Sequence, residues 1–182
     1  MNLKVSDKVL ISVFAALTAV GAFIRIPIPF VPFTLQFFFC SISGILLGAK
    51  KGALSQIIYV AIGLIGLPVF TKGGGPQYIL EPTFGYLVGL IFSSYIIGKI
   101  AEKNKKDLKN VFLANIAGII VIYLIGVPYF YFINNFYLGT NMPINLAIYY
   151  GCFITLPGDI IKSLITTVVG VNIASKINIR VA

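Results

Sequence analysis

From Val111 to Tyr131 the chain carries no charged residue, and comparable apolar runs recur along its length. A helix needs about 20 such residues to cross a hydrocarbon core about 30 Å thick. Within lipid, every backbone N–H and C=O must also find a partner in the chain. Repeated runs of this kind point to an all-α integral membrane protein. The composition agrees, with 58% hydrophobic residues, 10% charged residues and a mean hydropathy of +0.98. At 182 residues the expectation is a single domain over 1–182.

Breakers divide the runs into six expected transmembrane helices. The first spans Lys8 to Ile24 and is read as retained rather than as a cleaved leader, because no clean small-x-small site follows it. The proline-rich RIPIPFVPF, Arg25 to Phe33, cannot continue that helix. The second runs from Thr34 to Gly48 and the third from Gly52 to Gly66. TKGGGPQYILEP, Thr71 to Pro82, reads as loop. The fourth covers Thr83 to Ala101, the polar EKNKKDLKN follows, and the fifth covers Val111 to Tyr131. The last apolar region, Ile144 to Ile177, is too long for one span, and Pro157 with Gly158 divides it. Proline favours a first helical turn, so the sixth span is expected from Pro157 to Lys176, 20 residues. INLAIYYGCFIT before it is expected as a short outer-face helix.

Charge then sets orientation. Lys4, Lys8, Lys50, Lys51, Lys99, Lys103, Lys105, Lys106, Lys109, Lys176 and Arg180 fall on one side under this layout, eleven of the fourteen basic residues. Only Arg25 and Lys72 occupy the opposite loops. The positive-inside rule places both termini in the cytoplasm of a bacterial cell, with the chain in the cytoplasmic membrane. The net charge of +9 forms no contiguous basic stripe, so the partner is the lipid bilayer and not nucleic acid. Cys40 and Cys152 lie in apolar segments and read as small buried hydrophobes. The chain has no histidine and five acidic residues, which argues against most hydrolytic chemistry and against a metal site. The middle helices are too uniformly apolar for a channel.

Against this background Asp159 and Lys162 stand out. Spaced i, i+3, they share one helix face. They fall in the first two turns of the last helix, shallow enough at its outer end to stay partly solvated. One reading is a helix cap and a snorkelling lysine, or simply an ion pair. The other is a site for a polar or anionic small molecule, because ionisable groups within membranes are usually functional. Arg25, Lys72 and Glu81 lie on the same side and would converge on one pocket. Gln36 sits early in the second helix, positioned for a neighbouring helix or a ligand. The aromatics Phe30, Phe33, Phe70, Tyr78, Phe84 and Tyr86 cluster near outer ends, as an interfacial belt or as pocket lining. GGGP, Gly73 to Pro76, lacks the ending of a nucleotide loop; Gly74 and its neighbours supply backbone freedom to a loop that closes over a ligand. Ala15 and Ala19, one turn apart, form a small-residue face for internal packing or for a partner.

Four blocks in order, IPIPFVPFTLQ (Ile26 to Gln36), GLPVFTKGGGP (Gly66 to Pro76), PTFGYLVG (Pro82 to Gly89) and LPGDIIK (Leu156 to Lys162), carry a resemblance. The chain resembles the biotin-specific S component of energy-coupling-factor (ECF) transporters, the BioY family. Phe84 departs from that family's PTGGY pattern. The resemblance implies a membrane subunit that captures biotin at the outer face. It would work with a transmembrane coupling subunit and two cytoplasmic ATPases, and it needs no cofactor or metal of its own. It associates Asp159 and Lys162 with the ligand; Gln36, Phe33, Phe70, Gly74 and Tyr86 are the further residues expected at that site. It assigns Ala15 and Ala19 to docking the coupling subunit. An S component for thiamin or riboflavin, and more remotely an enzyme or channel, are the alternatives.

Overall fold

In the computed structural model, residues 3–26 and 30–176 are described. Pro27, Ile28 and Pro29 of the proline-rich block, and Arg180 of the basic count, lie outside the described residues. Helix α1 (Val5–Phe23) leads into two short antiparallel strands, β1 (Arg25–Ile26) and β2 (Phe33–Thr34), paired Arg25 to Thr34 and Ile26 to Phe33. Then come α2 (Gln36–Leu47), α3 (Ala49–Leu64), a 3₁₀ turn over Pro76–Leu80 and α4 (Phe84–Ala101). Helix α5 (Leu108–Phe132) ends in a π turn, Ile133–Tyr137. The short α6 (Ile144–Ile148) continues through another π turn, Tyr149–Phe153, toward α7 (Leu156–Lys176).

Local chemistry sets most of these boundaries. The Asp107 carboxylate accepts from the backbone N–H groups of Lys109 and Asn110, so α5 starts three residues before the expected Val111. Gly48 turns α2 directly into α3 at φ 81°, a left-handed conformation that glycine adopts without strain. The Glu102 carboxylate accepts from the Ala49 N–H at 2.9 Å and caps the start of α3. Asp7 and Lys51 pair at 2.9 Å and tie the starts of α1 and α3 together. Helix α7 begins at Leu156, one residue before the expected Pro157, which sits in its first turn.

Among the described residues, four helical segments have the length and hydropathy to cross a membrane: Val5–Phe23, Phe84–Ala101, Leu108–Tyr137 and Ile144–Lys176. The expected second and third spans are shorter, with 12 residues in α2 and 16 in α3. The reason is position. Ten of the twelve α2 residues are buried by neighbouring helices, so its length answers to protein packing rather than to lipid. Close approach makes this possible. A Cβ on Gly44 would stand 2.7 Å from the Ser94 carbonyl oxygen, and one on Gly52 would stand 2.9 Å from the Gly44 Cα. Outside the bundle the surface is apolar, with Val9, Val13 and Val20 on α1, Ile120 and Leu124 on α5, and Leu164 and Val168 on α7 all exposed.

The interior holds more polar groups than the apolar runs suggest, and several of them bond from helix to helix. Asn115, fully buried, accepts from the Ser41 hydroxyl at 2.5 Å and donates to Thr166 and Thr167 at 3.1 and 3.0 Å. With a further bond from the Asn115 amide to the Ser163 carbonyl, that joins α2, α5 and α7. Gln56 on α3 donates to Thr18 on α1 and Ser43 on α2. In a bilayer each such bond contributes about 0.6 kcal/mol on average.

Candidate functional site

At the end of the bundle where α7 begins, the starts of α2 and α4, strand β2, the 71–78 loop and the late part of α5 surround a cavity of about 90 Å³. Lys162 and Asp159 point into it and pair at 2.5 Å. The Lys162 ammonium donates a further bond to the Thr34 carbonyl at 2.9 Å and lies 4.0 Å over the Phe33 ring. On the other carboxylate oxygen, Asp159 accepts from the Tyr123 hydroxyl, which also contacts the Thr155 hydroxyl at 3.0 Å.

The two charges are less solvated than expected, with side-chain exposures of 7% for Lys162 and 14% for Asp159. Strand β2 is the cause. Phe33 lies against Gly158, where no Cβ would fit, and this brings Thr34 and the Phe33 ring over the first turns of α7. Lys162 is turned inward rather than snorkelling. Asp159 spends its oxygens on Lys162 and Tyr123 rather than on capping. An isolated charge here would cost several kcal/mol, a cost offset by the mutual pairing and by the contacts to Thr34 and Tyr123.

The remaining expected residues divide. Gln36, Phe33 and Tyr86 line the cavity. Gln36 accepts from the Thr34 hydroxyl at 2.9 Å and donates to Tyr59 at 2.8 Å, so it also fixes the entry to α2. Tyr86 donates to the Gly151 carbonyl at 2.7 Å and closes the side toward α6. Phe70 and Gly74 stand behind the lining. Phe70, 1% exposed, packs against Tyr59 and against Tyr78, whose ring forms part of the wall. Gly74 lies close to the end of α3, where a Cβ would meet the Leu67 carbonyl carbon at 2.8 Å. The expected convergence of all outer charges does not occur. Lys72 and Glu81 pair with each other at 2.8 Å beside a separate, larger cavity of about 480 Å³, and Arg25 donates to the Thr71 carbonyl. Phe84 packs on Tyr129 with ring centroids 6.0 Å apart and is not part of the lining, while its neighbours Thr83 and Tyr86 are.

On α1 the structure rotates the small-residue face by about one position. Ala15 is 4% exposed and belongs to the packed core, Ala19 is half-buried, and the exposed small residues in line with Ala19 are Ser12 and Ala16. Tyr123, Thr155 and Thr83 were not singled out in the sequence. Tyr123 sits in a charge-free apolar run, and its one signal is that a phenol in such a run needs a polar partner. Among the described residues no cluster of three or more His, Cys, Asp or Glu is placed to hold a metal ion.

A cation, an anion, several hydroxyls and aromatic walls together suit a small molecule with polar groups on an apolar body. The family model described as the BioY family matches residues 1–178. The probable biotin transporter BioY of Lysinibacillus sphaericus is 53% identical over 132 residues, covering 72% of this chain and 67% of its own. The biotin transporter BioY of Rhodobacter capsulatus is 35% identical over 173 residues, covering 91% of each. A crystal structure of the S-component for biotin from an ECF-type ABC transporter superposes with a TM-score of 0.68 at 29% identity, over 96% of this chain and 95% of that one. The chain belongs to the BioY family.

Proposed function

We propose that this chain is the biotin-binding membrane subunit of an energy-coupling-factor uptake transporter, with the cavity around Asp159 and Lys162 as its ligand site. The observation that carries this reading is an ion pair buried in a cavity rather than exposed at an interface, in a chain whose family relatives are biotin transporters. Biotin offers a carboxylate, a ureido group that both donates and accepts, and an apolar bicyclic core. Lys162 is a donor for the acceptor groups, Asp159 is an acceptor for a ureido N–H, and the Phe33, Tyr78 and Tyr86 rings suit the core. The cavity is small for a whole vitamin, since ligand pockets run to roughly 300–1,000 Å³, so side chains move when biotin enters. The chain acts as a carrier rather than an enzyme, and the driving energy comes from a transmembrane coupling subunit and two cytoplasmic ATPases.

Purified protein titrated calorimetrically with biotin is expected to bind one equivalent, with thiamin and riboflavin giving no heat. Saturable binding of either of those vitamins with none for biotin would transfer the chain to a different S-component specificity.

In this reading the bundle crosses the bacterial cytoplasmic membrane six times, α2 and α3 together forming an enclosed pair of traverses. Both termini are cytoplasmic, and α6 lies at the outer face. In a background lacking Cys40 and Cys152, a cysteine at Gln77 is expected to react with an impermeant maleimide added to intact cells. One at Lys105 should react only after lysis. Labelling of position 105 from outside would invert the orientation.

A further inference from the structure

The N-cap of α4 is a threonine that does not cap. Thr83 immediately precedes the helix, where a Thr hydroxyl ordinarily accepts from the second or third helical N–H, but here its side chain makes no such bond. Its Oγ1 is buried without any hydrogen-bond partner, the residue is 8% exposed, and it lines the same cavity as Asp159 and Lys162. Asp159, Lys162, Gln36 and Tyr86 all have partners within the protein. Thr83 is thus the lining hydroxyl whose bonding capacity is unspent. A buried hydroxyl in that state carries a desolvation cost that a valine of similar shape would not.

We propose that the Thr83 hydroxyl is a direct ligand contact, completing its hydrogen bonding with a polar group of biotin when the vitamin enters; this rests on the biotin reading above. It approaches from α4, while the ion pair approaches from α7, so the ligand is held through polar groups reached from two different walls. The role also accounts for position. One turn along α4, Tyr86 and Leu87 line the same cavity, whereas Phe84 faces Tyr129 instead. Helix α4 therefore presents its first turn to the ligand from the face that carries Thr83.

The test compares Thr83→Val, which keeps the shape, with Thr83→Ser, which keeps the hydroxyl, by calorimetric titration with biotin and by thermal unfolding of the free protein. Thr83→Val is expected to weaken biotin by roughly 2- to 12-fold, the worth of one neutral hydrogen bond, while its ligand-free melting temperature stays equal or rises. Thr83→Ser should bind within about 2-fold of the parent. Opposite movement of affinity and stability is what a purely structural hydroxyl cannot produce. Unchanged affinity in Thr83→Val overturns the proposal, and so does a fall in melting temperature that accompanies the loss of binding. If Thr83→Val does not fold, Thr83→Ala carries the same comparison against Thr83→Ser. A parent protein that gives no heat with biotin overturns the biotin reading itself, a result distinct from normal parent binding with an indifferent Thr83→Val.

Discussion

Replacing Lys162 by alanine is expected to weaken biotin binding by roughly 10- to 150-fold and to destabilise the protein by about 3–5 kcal/mol. The first figure is the worth of a hydrogen bond to a charged group, about 1.5–3 kcal/mol. The second follows from burial. With its partner gone, the Asp159 carboxylate, 14% exposed, is left with the Tyr123 hydroxyl but with no cation. Asp159→Ala should behave alike, leaving the Lys162 ammonium with only the Thr34 carbonyl and the Phe33 face. A double replacement separates the two effects. Asp159→Asn with Lys162→Met removes both charges, so stability should return toward that of the parent while binding stays lost. Calorimetric titration and thermal unfolding of the three variants read this directly. Parent-like affinity in the double variant would reduce the pair to a scaffold element and leave the ligand site elsewhere.

The second large effect concerns transport without loss of binding. Ala19→Leu is expected to leave biotin affinity unchanged and to bring ATP-driven uptake by the reconstituted complex down to background. Ala19 is half-buried and lies in line with the exposed Ser12 and Ala16, so a leucine there projects bulk where another helix would need close approach. Ala15→Leu should differ in kind. At 4% exposure inside the core it overpacks the bundle and lowers stability by about 1–3 kcal/mol before any partner is involved. Normal uptake by Ala19→Leu in a fully assembled complex would make that stripe internal packing. An unchanged melting temperature in Ala15→Leu would contradict its place in the core.

Much of the fold was legible because lipid leaves a chain few options. Apolar runs of helical length, broken by proline and glycine, located α1, α4, α5 and α7 to within a few residues, because backbone polar groups in a bilayer must be satisfied locally. Asp107 shifted the start of α5 through a side-chain cap that the run's hydropathy does not register. The length of α2 was less legible for a different reason. Hydropathy reports that a segment is apolar and is silent on whether lipid or protein surrounds it.

The candidate site shows the same division. The i, i+3 spacing alone put Asp159 and Lys162 on one face of the last helix, and the cost of charge in an apolar segment marked them as a pair worth attention. Their surroundings come from far along the chain: Thr34 and Phe33 from the ribbon before α2, Tyr123 from the middle of an unbroken apolar run, and Thr83 from the start of α4. Local sequence carries helix, turn and face, since these depend on near neighbours. Burial of a charge, partnering of a hydroxyl and the one-position rotation of the small-residue face on α1 depend on which distant helices touch, and only the tertiary structure decides that.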